Sequence, residues 1–483
     1  MNSRDLQERA VVVLDVGKTL SKASLWTRDG RLLDRRTRQN ERIQTPDYVG
    51  LDAAGIEAWL AATLTDFAQE FAGTAEIGWI IPVGHGAAAA VVRDGALVQP
   101  PLDYEHPIPR ELRKQYDSLR GSFASTGSPA LPNGLNLGAQ LYYLQSLRPD
   151  LLSGNATLLP WPQYWSWLLC GVPASEVSSL GCHSDLWQPL SGQPSVVSVA
   201  RGWAAHMAPL TRAGSILGPI TPEWAARTGL PADVQVLCGL HDSNAALLAA
   251  RAFPELIGSD ATILSTGTWF VAMRLPREDA TTAIAGLVES RDCLVNVDVF
   301  GHCVPSARFM GGREIELLTG IDSRRVDTRA DQPALLESVG DVLANSAMVL
   351  PTLAPGFGPY PQGQGRWVSL PPEQTQRRAA VCLYAALVAD VSLDLIGASG
   401  RLLIEGRFAE SEVFVRALAN LRPETAVYTG HARSDVSFGA LRLLNPSLPP
   451  PASLVRVEPL PHDLNDYRKL WRDLASHNAS VAA

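Results

Sequence analysis

Cysteine is scarce and scattered: six residues in 483, at positions 170, 182, 238, 293, 303 and 382, without a CxxC pair. That pattern suits reduced thiols in a cytoplasmic enzyme better than a disulfide framework or a zinc site. The nine histidines are also dispersed, so no metal cage is visible. No run of about 18 apolar residues exists, and no membrane partner is expected. Positive charge is in deficit, with 41 Lys and Arg against 49 Asp and Glu, a net charge of -8. This balance argues against nucleic acid or an anionic membrane as a partner. The opening MNSRDLQERA is polar and mixed in charge, unlike a signal peptide. Internal repeats and low-complexity tracts are missing too. What is present is a chain that is 46% hydrophobic and longer than one core accommodates, so two domains are expected.

The most informative stretch is 234–273, VQVLCGLHDSNAALLAARAFPELIGSDATILSTGTWFVAM. An apolar run over 234–240 reaches His241, Asp242 and Ser243, then an Ala/Leu-rich segment follows with helical spacing. A second apolar run, 261–264, breaks into Ser265, Thr266, Gly267 and Thr268 and resumes at Trp269. The pattern predicts strand, carboxylate and helix, then a β-hairpin whose tip is hydroxyls and glycine. Such a tip offers N–H and O–H donors to an anion, and glycine lets the backbone approach closely. A carboxylate near an anion cradle suits proton abstraction beside a phosphate. Each half also has a plain structural reading: Asp-Ser as a helix cap, and STGT as an ordinary turn.

Residues 10–16 (AVVVLDV) form a near-continuous apolar run, as expected of a strand buried on both faces. Asp15, Gly17, Lys18 and Thr19 end it, and a second strand-like run follows at 23–27. The GKT triplet is not a Walker A loop, because Val12 stands where that motif needs glycine and no helix follows. The alternative readings are a tight turn, or a second phosphate hairpin with a carboxylate able to hold hydrated Mg²⁺.

Two such hairpins, one early and one past the middle, are the layout of the actin-like ATPase fold. More narrowly, the chain resembles the FGGY family of carbohydrate kinases. The likeness rests on DVGKT (15–19), LLPWPQYWSWLLCG (158–171), GSILGPITPEWAARTGLPADVQVLCG (214–239), GLHDSNAA (239–246), STGTW (265–269) and LLIEGRFAES (402–411), in the family's order. HD followed by small residues, together with STGTW, looks most like the rhamnulokinase and fuculokinase side. The resemblance implies an α/β fold of two ribonuclease-H-like domains with mixed sheets flanked by helices and a nucleotide held in the cleft. Residues 1–245 would carry the sugar site and the first phosphate hairpin, and 246–483 the nucleotide side.

On the sugar side the resemblance points to His85, Asp103, Gln140 and His241. The family commonly has an Arg just after its sugar-binding Asp, but here none follows Asp103 before Arg110. His183 and Asp185 are weaker candidates. The aromatic cluster Trp161, Trp165 and Trp167 fits either sugar stacking or core packing. Helices are expected at 52–71, 136–147 and 201–210, and a loop at 114–134.

On the nucleotide side, a strand is expected at 293–300, a helix at 304–318 and a long irregular loop at 349–372. A helix at 375–396 then leads to the strand 401–405. The family's adenosine loop has consecutive glycines, whereas here Gly406 stands between Glu405 and Arg407. Arg407 is therefore read as a phosphate ligand. A closing helix at 435–444, with Gly439 permitting close packing, precedes a Pro-rich tail and an appended surface helix.

The implied reaction is ATP-dependent phosphorylation of a small ketose or polyol. Asp242 is the base, ionised at its helix N-terminus. Asp15 holds Mg²⁺, while Gly17, Lys18, Thr19, Ser265–Thr268, Gly406 and Arg407 surround ATP. Two other classes stay open at this point: a non-catalytic sugar or nucleotide sensor, and an assembly ATPase that needs no sugar. A homodimer is an allowed assembly.

Overall fold

The computed structural model describes residues 9–275, 284–322, 329–430 and 436–482. The first eight residues, on which the reading of the N-terminus rests, lie outside these, as does Asp435 at the expected start of the closing helix. The chain forms two compact units. One comprises Met1–Ala252 with Val295–Cys303 and Asp435–Pro450; the other comprises Phe253–Leu294, Val304–Ser434 and Pro451–Ala483.

In the first unit, β1 (Ala10–Val16) is buried along its whole length. It turns into β2 (Leu20–Trp26) and β3 (Leu32–Gln39), an antiparallel meander. β3 (LLDRRTRQ) is the edge strand, and its three arginines discourage pairing with another chain. Helix α1 (Ala53–Glu70) starts where the Asp52 carboxylate accepts the Gly55 N–H at 2.9 Å. β4 (Ile77–Gly84) then returns parallel to β1. Helix α2 (Trp161–Cys170), strands β5 (Ile216–Pro219), β6 (Gln235–Leu237) and β7 (Leu240–His241), and helix α3 (Asp242–Ala250) complete the layer. The strand order is β5-β6-β4-β1-β2-β3, with β7 also paired to β4. Alternate residues of β1 face different cores: Val12 and Leu14 pack with α1 and α2, while Val11 and Val13 pack with α3 and the helix Val436–Leu441. Gly439 permits the last contact, since a Cβ there would strike the Ala245 carbonyl.

The second unit repeats the plan. β8 (Ala261–Thr266) pairs antiparallel with β9 (Phe270–Leu275), and β10 (Cys293–Val297) and β11 (Cys303–Phe309) extend that side of the sheet. After α4 (Gly311–Thr319) and α5 (Gln374–Leu395), β12 (Arg401–Gly406) returns parallel to β8. β13 (Ala426–Gly430) then runs parallel to β12, and β14 (Leu454–Arg456) closes the edge. α5 is apolar nearly all round and lies inside the core. Glu314 ties the Pro/Gly-rich loop to α4 and α5. Its carboxylate accepts from the Thr352 hydroxyl at 2.6 Å, the N–H groups of Leu353 and Ala354, and the Tyr384 hydroxyl at 2.9 Å.

Four sequence expectations are corrected. Residues 304–309 are strand rather than helix, because VPSARF pairs with β9 through Phe309, Arg308, Ala307 and Ser306. The expected loop 114–134 opens inside the helix Arg110–Leu119, and the expected helix 201–210 is only a turn at Trp203–His206. The C-terminal helix Asn465–Ala482 is not a surface appendage. Its Trp471 is wholly buried against Tyr360 and Tyr384, and its indole N–H donates to the Val349 carbonyl at 2.7 Å. Replacing Trp471 with Ala should lower the stability of this unit by about 3–5 kcal/mol, as for other buried large-to-Ala changes. Urea unfolding followed by circular dichroism checks this, and a shift below about 1 kcal/mol would make the helix peripheral after all.

Candidate active site

Strand register gathers the first unit's candidate residues. Val16 on β1 lies opposite Gly84 on β4, and His241 on β7 lies opposite the same Gly84. The carboxyl ends of these parallel strands thus present Asp15, His85, His241 and Asp242 along one edge, where open α/β sheets take ligands.

Asp242 is the first residue of α3, with His241 at the cap position. The capping reading is half met. Oδ1 accepts the Ser243 N–H at 2.6 Å, while Oδ2 accepts no hydrogen bond from any described residue. The side chain keeps 30% of its exposure. Burial pushes its carboxyl up to about 6, against the lowering by the Ser243 N–H and hydroxyl and by Lys22. The expected ionising bias of the helix terminus is therefore outweighed by desolvation. His241 lies with Nε2 3.1 Å from Asp242 Oδ1 and 3.3 Å from Cys182 Sγ. Asn244 Nδ2 donates to its Nδ1 at 3.3 Å, which leaves the ring proton on Nε2 to be donated towards Asp242. Burial lowers His241 to about 4, so the ring is neutral near pH 7.

In the first hairpin, the Gly17 N–H donates to the Leu20 carbonyl at 3.1 Å and Thr19 is exposed at the tip. Asn40 braces the turn through the Gly17 carbonyl at 2.8 Å. Lys18 does not project from it. Its Nζ lies 3.1 Å from Asp103 Oδ1 and 2.6 Å from Glu105 Oε1, and 4.1 Å from the centre of the Tyr104 ring. Asp103 is fully buried, and its Oδ2 meets Arg42 Nε at 3.0 Å. No Arg follows Asp103 in sequence before Arg110, and the guanidinium paired to it is that of Arg42, which also meets Glu105 at 2.7 Å.

His85 is 9% exposed, and neither ring nitrogen has a hydrogen-bond partner among the described residues. Its neighbours are Tyr104 and Trp161, with ring centres at 5.7 and 6.3 Å. Burial first, then His241, Lys18 and His183, lowers it to about 3, so this ring is also neutral. Gln140 spends both amide hydrogens on the carbonyls of Ala87 and Gly134, which makes it a brace for the loop rather than an exposed donor. Asp185 is held by Arg120 and Tyr116, and Trp161 and Trp165 are core residues.

In the second unit, Thr266 Oγ1 donates to the Glu405 carbonyl and accepts the Phe408 N–H at 3.1 Å. It binds β8 to the 405–408 turn, which leaves Ser265, Gly267 and exposed Thr268 as the outward groups. Gly267 and Thr268 lie against the start of α4, where a Cβ on Gly312 would strike the Gly267 carbonyl. No side chain caps that helix. Gly406 has φ 89° and ψ -163°, and a Cβ there would meet the Thr266 carbonyl. Arg407 lies 3.9 Å from Glu316 on α4.

Sequence reasoning missed Lys22, Arg42, Glu105, Asn244 and the Gly311–Gly312 helix start. Lys22 was recoverable, because the hairpin register sets it opposite Asp15, and its Nζ lies 3.0 Å from Asp15 Oδ2. Among the described residues no group of three or more His, Cys, Asp or Glu could hold a metal ion. A single carboxylate such as Asp15, paired to Lys22 on one oxygen, still fits Mg²⁺, which keeps several waters and takes few protein carboxylates beside substrate phosphates. Thr266→Val should strand two buried backbone groups and lower stability by about 1–3 kcal/mol. Ser265→Ala should leave unfolding unchanged; calorimetric melts of the two variants check the contrast.

The C-terminal domain of FGGY carbohydrate kinases matches residues 258–451. A carbohydrate kinase from Novosphingobium aromaticivorans is 57% identical over 96% of this chain and 100% of its own, with a TM-score of 0.91. A ligand-bound xylulose kinase from Lactobacillus acidophilus has the same fold at 14% identity, covering 98% and 99% of the two chains with a TM-score of 0.81. So does a Plasmodium falciparum glycerol kinase with ADP, at 11% identity, 98% of each chain and a TM-score of 0.79. No curated protein matches. The two-unit α/β fold with mixed sheets is thus that of actin-like ATPase kinases, and the chain belongs to the FGGY carbohydrate kinase family, enzymes that phosphorylate sugars.

Proposed function

We propose that this kinase transfers the γ-phosphoryl group of ATP to a hydroxyl of a small ketose or related polyol, of the rhamnulose or fuculose kind, with Asp242 as general base. The observation that carries the reading is the Asp242 carboxylate: one oxygen is anchored by Ser243 and His241, and the other has no partner among the described residues. A carboxylate held in this way can accept a proton from a hydroxyl at hydrogen-bond distance. Asp242 takes the hydroxyl proton, the sugar oxygen bonds to the γ-phosphorus, and the bond to the ADP oxygen breaks. His241, neutral with its proton on Nε2, positions the base. His85, whose two ring nitrogens have no partner among the described residues, meets sugar hydroxyls.

Ser265, Gly267 and Thr268, with the uncapped start of α4, receive phosphate oxygens, and Gly406 with Arg407 lines the nucleoside side. Gly17 and Thr19 serve the phosphates from the first hairpin. Asp15 would hold Mg²⁺ through water, and the ion would neutralise charge on the phosphates. The substrate class rests on the resemblance of the HDSN and STGTW segments to rhamnulokinases and fuculokinases.

A panel of ketoses and polyols assayed for ADP release with Mg·ATP names the substrate. Asp242→Asn should lower transfer by roughly 10²–10⁴-fold with ATP binding retained; near-native turnover would remove the base assignment. Because the ionised carboxylate is the active form and its carboxyl titrates at about 6, kcat should fall as pH drops through that value and level off above it. A rate constant flat from about pH 5 to 8 would contradict this.

A further inference from the structure

Lys18 stands in a phosphate-type hairpin, yet its ammonium is turned into the protein, and the side chain is only 8% exposed. Reaching a phosphate would require it to leave two carboxylates at 3.1 and 2.6 Å and the Tyr104 face. The residues it touches continue towards the base. Tyr104 stacks edge-on with His85, and the loop carrying His85 presses on His241, where a Cβ on Gly86 would lie 3.0 Å from Nε2. A sugar whose hydroxyl meets Asp242 therefore lies along a wall of His241, His85, Tyr104 and Lys18.

The charges of this wall balance. Lys18 and Arg42 are both paired to Asp103 and Glu105, two cations against two anions. Lys22, which stands opposite Asp15 across the hairpin, is paired to it. Both histidines are neutral, and the base itself is an anion when active. A carboxylate on the substrate would find each of these three cations already engaged and would face Asp242 across the site. Desolvating such a charge without a partner, beside a like charge, disfavours its binding.

We propose, resting on the kinase reading above, that Lys18 is a sugar-side positioning residue rather than a phosphate ligand, and that the Lys18–Asp103–Arg42–Glu105 quartet restricts this enzyme to uncharged sugars and excludes sugar acids. Lys18 fixes Asp103 and Glu105 under Tyr104, which sets the wall that the sugar meets. Removing its charge leaves a fully buried carboxylate short of one partner and lets the wall shift.

The test uses the full chain with Mg·ATP, neutral ketoses and polyols, and aldonates such as gluconate, assayed for ADP release. Neutral sugars should be phosphorylated, with aldonates about 100-fold poorer or worse in kcat/KM. Lys18→Met should raise KM for the sugar by roughly tenfold or more and leave KM for ATP unchanged, and Lys18→Arg should recover part of the loss. If Lys18→Met does not fold, Arg42→Met carries the same readout from the other cation of the quartet. A KM change confined to ATP, or a preference for aldonates, overturns the assignment while the kinase reading stands. Turnover of no member of the panel sinks both.

Discussion

The close approach of Gly239 to the Pro82 carbonyl is the constraint on which the catalytic edge depends. Gly239 adopts φ 77°, and any Cβ would collide with that oxygen. The break at this residue lets β6 and then β7 pair with the same neighbour, β4. Without it, His241 and Asp242 could not arrive beside Gly84, level with the end of β1. The base is thus positioned by backbone contact, and its side chain stays available for chemistry.

Three aspartates on this edge show how surroundings divide one residue type into different roles. Asp103 is fully buried but compensated on both oxygens, which makes it a fixed element of the wall. Asp15 accepts from the cross-strand ammonium of Lys22 at the mouth of β1. Asp242 keeps an oxygen that neither a hydrogen bond nor an ion pair from any described residue reaches, and burial raises its carboxyl into the range where proton transfer is efficient.

Much of the scaffold was legible because local pattern and burial agree. The strand 10–16 and the strand at 401–405 announce themselves as apolar runs, and α5 as a long apolar helix. The error at 304–309 arose because a short apolar segment has no periodicity of its own, and only pairing with β9 decides its state. The reach of Lys18 was hidden for a related reason: it is set by Asp103 and Glu105, some 85 residues away in sequence. The repeated sheet plan was equally invisible, since in both halves the first strand pairs antiparallel with the second and parallel with a later one without shared residues.

The division of the chain has a consequence for biogenesis. The backbone passes from one unit to the other after Ala252, Leu294, Cys303, Ser434 and Pro450, so neither unit is a continuous segment. When residues 1–252 have left the ribosome, the surface of α3 that Gly439 and Phe438 will cover is still bare. The nascent chain must shelter that apolar face until nearly two hundred further residues are made. Cutting the polypeptide into two expressible halves would therefore give one piece lacking a helix and another carrying it without a seat.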